Sequence, residues 1–340
     1  MVLHQPKRDL NLREYGILIP VAPDRVSRIL AALEEDKRIG PFRDRWLRAC
    51  DPASSPITRE DLERVHAKEY IDRIYSPEVE QVLLQVFELV DEEGNYHRYD
   101  PSIATKPLSE HFDPELVWHR CAFSACRMAL DEGFCFYLGG GAHHAHYDFG
   151  HGFCMLNDIL IPLRRLQADG RIKRAWVIDV DAHKGDGTAA IAKDDPTITT
   201  LSVHMAESWP LDLPKTLPDG RPNPVFVSSD IDVPIAPGEE GEYLPRLHTA
   251  LDRLGADFPG ADLALVVCGS DAYEHDGLPS TAGLRLTLEQ MNKRNLAIYD
   301  FLTERDMPQV WYTAGGYGER AWEPFAAFLK EVLPRRLGVG

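Results

Sequence analysis

No stretch of this chain stays apolar long enough to span a bilayer; none approaches the roughly 18 residues a crossing helix needs. Positive charge is also in short supply. Lysine and arginine number 37 against 54 aspartates and glutamates, a formal net charge of −17. Such a balance argues against non-specific binding to nucleic acid or to an anionic membrane. It suits a cationic substrate, although net charge does not say where the charge sits. The six cysteines (Cys50, Cys121, Cys126, Cys135, Cys154 and Cys268) contain no CxxC pair, which disfavours a zinc–thiolate site. Several lie in apolar runs and read as reduced, buried thiols. No internal repeat is visible, and no Pro- or Ser-rich linker divides the chain. The polar start, residues 1–8, lacks the apolar core of a signal peptide. The expectation is a cytoplasmic enzyme with one domain over residues 1–340, its core filled from the 44% of residues that are hydrophobic.

What is present is an alternation of short apolar runs with helical periodicity. Residues 17–21 read as a first short strand, weakened by Pro20. Residues 24–37 follow with Val26, Ile29, Leu30 and Leu33 on one helical face. Thr58 is a plausible cap for the next helix, and His66 has a structural role at a helix–turn–helix junction. Residues 90–113 form a long polar loop, either a substrate rim or a solvated insertion. A helix over 114–131 precedes a strand at 134–138. Further strands are expected at 176–180, 198–204, 263–271 and 309–313, with helices between them and a loop-rich stretch over 205–241. This order predicts a three-layer α/β/α fold with a central, mainly parallel sheet.

The polar residues gather at strand ends, where ligands bind in open α/β sheets. The run Trp176-Val177-Ile178-Asp179-Val180-Asp181-Ala182-His183 is a buried strand that ends in acids and a histidine. Alternation places Asp179, Asp181 and His183 on one face. Burying two carboxylates and an imidazole without a partner is unfavourable, and a divalent cation is the simplest partner. The strand at 263–271 brings Asp271, with Asp276 close behind, to the same end. Residues 139–146, Gly-Gly-Gly-Ala-His-His-Ala-His, are no phosphate loop, because the lysine and Ser/Thr of that motif are absent. Adjacent histidines in a loop point in different directions, so His143 and His144 suit paired acid–base work better than joint metal ligation. Phe153 stands at a loop-to-helix junction where it can wall a pocket, and Asn157 or Asp158 can serve the backbone there. Tyr317 is presented on a glycine-rich turn.

In this order, GGGAHH (139–144), GHGFCMLND (150–158), DVDAHKGDG (179–187), GSD (269–271) and GGYG (315–318) resemble the zinc-dependent histone deacetylase superfamily, of the arginase/deacetylase fold. The resemblance covers roughly residues 14–330 and looks closest to class IV-like and bacterial members. It implies that Asp181, His183 and Asp271 bind one catalytic Zn2+, leaving an open position for water and substrate. It implies that His143 and His144 form a dyad backed by Asp179 and Asp186, and that Tyr317 donates to the substrate carbonyl. Gly152 and Phe153 would line one wall of an acyl-lysine tunnel, with Trp209 the candidate for the opposite wall. A structural K+ is implied near Asp179, Asp181, His183 and Ser202. Lys184 is a departure, since many relatives carry another residue there.

The function implied is a zinc amidohydrolase that removes acetyl or other acyl groups from lysine side chains of proteins or peptides. An acetylpolyamine amidohydrolase is the alternative. Two weaker readings are a non-catalytic acyl-lysine binder and a two-manganese ureohydrolase on the same fold. Oligomeric state and acyl-chain length stay open at this level.

Overall fold

Period-two burial decides the layering. In the computed structural model, which describes residues 1–5, 11–91, 93–217 and 219–339, eight strands form one sheet. They are β1 (Val2–His4), β2 (Leu47–Ala49), β3 (Phe134–Tyr137), β4 (Ala175–Asp179), β5 (Ile198–Met205), β6 (Ile231–Ile235), β7 (Leu263–Val267) and β8 (Gln309–Tyr312). Their order is β2-β1-β3-β8-β7-β4-β5-β6, and every pairing is parallel. In β7, Leu263, Leu265 and Val267 enter one core, while Ala264 and Val266 enter the other. In β4, Ala175 and Val177 divide from Trp176 and Ile178 in the same way. Burial on both faces is what a parallel sheet with crossover helices requires. Helices Lys68–Ile74, Val79–Val86, Phe112–Glu132 and Leu160–Ala168 cover the first face. Helices Arg25–Glu34, Tyr243–Asp257, Leu288–Thr303 and Glu323–Leu337 cover the second.

The strands that carry chemistry are neighbours. β3, β8, β7 and β4 lie side by side in the sheet, so the loops leaving them emerge at one edge and converge. Two helix starts follow their local chemistry closely. Thr58 and Asp61 form a reciprocal capping box, as do Thr287 and Gln290. The six cysteines are buried and unpaired. Among the described residues, no helix is long and apolar enough to cross a membrane.

Two expectations are corrected. Residues 17–21 form no strand; Ile17 makes only an isolated antiparallel bridge to Tyr99, and Pro20 has no N–H for a ladder. The first strands are instead β1 and β2, three-residue elements too short for a periodic signal. The stretch 205–241 holds β6 despite Pro234. As an edge strand it pairs only with β5, and an edge tolerates proline. Residues 6–10 of the polar start, and Glu92 within the 90–113 loop, lie outside the described residues. So does Pro218.

His66 has the structural role expected of it. Its Nδ1–H donates to the His146 carbonyl (2.8 Å), and its Nε2 accepts from the Asn157 N–H (2.9 Å). Burial pushes its pKa down to about 4, so the ring is neutral and locked in one tautomer. His66→Ala leaves a buried carbonyl and a buried amide unpaired. The expected loss is roughly 1–3 kcal/mol in urea unfolding; a change near zero would contradict this role.

Candidate active site

Asp181 and His183 lie just beyond β4, and Asp271 just beyond β7, its sheet neighbour. The adjacency brings ligand-capable atoms of all three within 4.8 Å of one another. His183 Nδ1 lies 3.1 Å from Asp271 Oδ2 and 3.4 Å from Asp181 Oδ1. Its Nε2 faces Ser280 Oγ at 3.1 Å. The backbone holds the acids: the Ala182 N–H donates to Asp271, the His183 N–H and the Gly315 N–H to Asp181. A β-carbon on Gly269 would overlap the Asp181 carboxylate, so this position needs glycine for the acids to meet. Burial, then Asp181, raises the Asp271 pKa. Burial opposes the His183 charge, but its hydrogen bonds to the Asp181 and Asp271 carboxylates outweigh it, and the pKa rises to about 10. This cluster attracts a cation, and a buried divalent ion would satisfy both carboxylates.

The loop after β3 supplies the two histidines, whose ring centroids are 3.9 Å apart. His143 Nδ1–H donates to Asp179 Oδ2 at 2.7 Å, and His144 Nδ1–H to Asp186 Oδ1 at 2.6 Å. Burial lowers both rings, with different outcomes. For His143, Asp179 and then Asp181 outweigh burial and lift the pKa to about 9. For His144, the neighbouring His143 adds to burial and the pKa falls well below its usual value. Two adjacent imidazoles thus prefer opposite charge states, the pattern that separates acid from base roles.

The walls and the phenol complete the cavity. Gly152, Phe153, Trp209 and Tyr317 line its mouth together with His144 and His183. Trp209 packs edge-on against His144 (centroids 4.6 Å) and His183 (5.5 Å). A β-carbon on Gly152, whose φ is +57°, would overlap the Trp209 ring. Phe153 stands edge-on to Tyr317 at 6.1 Å. Burial, then Asp271 and Asp181, holds the Tyr317 pKa well above its usual value, which keeps the hydroxyl a donor. Beside the acid–imidazole cluster a cavity of ≈ 200 Å³ extends past Gly139 to Gly141 toward Ile19, Val21 and Trp118. Residues 17–21, misread as a strand, therefore help line its inner end.

Several residues take roles in the site that the sequence did not assign to them. His146 and His151 both approach Asp186 Oδ2 (3.0 and 2.9 Å), so three imidazoles share one carboxylate. Asp276 accepts the Tyr317 N–H at 2.7 Å and so fixes the tyrosine turn. Arg294, fully buried, donates to the Val180 and Gly269 carbonyls, tying the ends of β4 and β7 together. His146 and His151 lie in or beside motifs quoted from the sequence and Asp276 was noted behind Asp271, but their partners come from tertiary packing; Arg294 has no local motif to announce it. Asp158, by contrast, was expected to serve the backbone, and it accepts from the Gly141 and Ala142 N–H groups. Lys184 donates to Asp232 at 2.9 Å.

This geometry gathers an acid–imidazole cluster, two carboxylate-backed histidines and a phenol at the carboxyl edge of a parallel sheet, and comparison with known proteins gives the family. A histone deacetylase domain model matches residues 19–332. The chain belongs to the histone deacetylase family. It is 31% identical over 195 residues to an uncharacterised protein of Picosynechococcus sp., covering 57% of this chain and 59% of that one. It is 28% identical over 193 residues to histone deacetylase 2 of Arabidopsis thaliana, covering 57% and 46%. These alignments span about half the length of those relatives. A probable deacetylase of Archaeoglobus fulgidus is 24% identical over 310 residues, covering 90% and 79%. Among solved structures, an acetylpolyamine aminohydrolase from Burkholderia pseudomallei shares the fold, with a TM-score of 0.68, 19% identity and coverage of 97% and 98%.

Asp181→Asn keeps the side-chain volume but removes one charge from the cluster. Zinc affinity by calorimetry should fall by at least about 100-fold, more than an outer partner of a ligand usually contributes. Wild-type affinity in a folded variant would remove Asp181 from the ligand set.

Proposed function

We propose that this chain is a zinc-dependent amidohydrolase that removes acetyl or larger acyl groups from lysine side chains of proteins. One observation carries the reading. A carboxylate–imidazole cluster, two carboxylate-backed histidines of opposite charge preference and a phenol all line one cavity. Two carboxylates and one imidazole fit zinc with an open position. When bound by Asp181, His183 and Asp271, the ion supplies Lewis acidity, polarising an amide carbonyl and acidifying a water.

The protein's own groups do the rest. His144 is neutral and its Nδ1–H is held by Asp186, so its Nε2 lone pair accepts the proton of the attacking water. As the carbonyl carbon becomes tetrahedral, the Tyr317 hydroxyl donates to the oxyanion, a charge absent from the ground state. The protonated His144 is then a strong acid, because its pKa is depressed, and it returns the proton to the departing amine. His143, whose charged form Asp179 favours, offsets the negative charge that develops beside it. Gly152, Phe153 and Trp209 flank the methylene chain of the lysine.

The potassium proposal also has a physical basis. Ser202 Oγ is buried with no hydrogen-bond partner among the described residues, and Ser202 pairs with Asp179 across β4 and β5. An oxygen left without a donor in an oxygen-rich setting fits a hard monovalent cation. The two-manganese reading retains one observation, a second ligand-capable group formed by His144, His151 and Asp186; the count of bound metals separates the readings.

The test is hydrolysis of acetyl- and longer acyl-lysine peptides by the zinc-loaded protein, with and without a chelator. Chelator-sensitive release of the acyl group is expected. In the same assay Tyr317→Phe should lower turnover by about 100-fold or more, the scale of one oxyanion donor. A folded, zinc-bound protein that cleaves none of these amides would overturn the proposal.

A further inference from the structure

The net charge of −17 suggests a mouth suited to cations, and the structure places no surplus of acid there. Apart from Tyr317 and the two floor histidines, His144 and His183, the ionisable groups among the described lining residues are Glu88 and Arg98. They form an ion pair at 2.8 Å, so the one carboxylate is already neutralised. The Arg98 guanidinium also lies over the Phe153 ring, 5.7 Å from its centroid, a cation–π arrangement that anchors it at the tunnel wall.

The pair is held by backbone as well as by charge. Glu88 and Arg98 both adopt positive φ, 52° and 54°. They stand at the two roots of a tongue closed by the His97 N–H to the Leu89 carbonyl and by a Val90–Tyr96 bridge. The Leu18 N–H donates to the Arg98 carbonyl, and the Phe153 N–H to the Val86 carbonyl. Left-handed backbone at two non-glycine residues is unfavourable, and it persists where surrounding contacts over-determine it.

We infer that Arg98, positioned by Glu88, sets the substrate class of this mouth, admitting acyl-lysine carried on a peptide and rejecting acylated polyamines. The inference rests on the amidohydrolase reading above. The two substrate types are alike near the amide and differ three or four methylenes away. At that distance a polyamine carries an ammonium, whereas lysine reaches a neutral Cα flanked by peptide groups. The mouth, where Arg98 stands, is where this difference is felt. With Glu88 engaged by Arg98 the mouth offers an ammonium no unpaired carboxylate, while the guanidinium donates its remaining N–H groups to peptide carbonyls. Discrimination then comes from leaving the polyamine's ammonium without a partner as much as from an attractive contact to the peptide.

The experiment measures kcat/KM of the zinc-loaded protein for an acetyl-lysine peptide and for N-acetylputrescine, in wild type, Arg98→Gln and Arg98→Glu. Metal content and melting temperature are measured alongside to show that each variant is folded. Wild type should favour the peptide. Arg98→Glu should shift the ratio toward the polyamine by about tenfold or more, the scale of reversing one partly screened charge near the ligand. Arg98→Gln should shift it less, and raising the salt should shrink both shifts. An unmoved ratio in folded, metal-loaded Arg98→Glu would overturn the inference, as would a wild type that favours N-acetylputrescine. Silence on both substrates contradicts the amidohydrolase reading itself, and the inference falls with it.

Discussion

Buried negative charge at one edge of the sheet is the constraint on which the structure turns. Asp158, Asp179, Asp181, Asp186, Asp271 and Asp276 are all buried. Carboxylates removed from water need donors or cations, and each of these is supplied. Backbone N–H groups of glycine-rich loops serve Asp158 and Asp181. Imidazoles serve Asp179 and Asp186. The Tyr317 N–H serves Asp276. Arg294 sits behind the cluster and binds the strand-end carbonyls from which Asp181 and Asp271 follow. Asp181 and Asp271 converge with His183 at one point, where a single cation would satisfy two carboxylates at once.

The same arrangement sets the chemistry of the dyad. His143 lies close enough to Asp179 and Asp181 to favour its charge, and that charge then suppresses protonation of His144. Asp186 would favour a charged His144, but it also serves His146 and His151. A carboxylate shared by three imidazoles supports each one less than an exclusive partner would. The division of labour between two adjacent, chemically identical side chains follows from which carboxylate each meets and how many others that carboxylate serves.

Much of this was legible in the sequence, for a definite reason. Asp179, Asp181, His183 and Asp186 lie within eight residues, and His143 and His144 follow a strand and three glycines, so local pattern announces them. The layering was legible because central strands are continuous apolar runs. The three-residue β1 and β2 are shorter than any period that could reveal them, and Pro234 disguised β6. Trp209 was placed only as a candidate because its loop has no pattern; it meets Gly152 through tertiary packing. His146, His151, Asp276 and Arg294 are set by contacts across as many as 114 positions, which composition and spacing do not encode. Arg98 belongs to the 90–113 loop that read equally as rim or insertion, Glu88 stands just before it, and only the fold brings the pair to Phe153.

The most direct test of the central claim is an anomalous-scattering crystal structure of the zinc-loaded protein. It should show one zinc per chain in contact with Asp181, His183 Nδ1 and Asp271. Zinc bound instead by His144, His151 and Asp186, or two ions bridged across both clusters, would contradict the account.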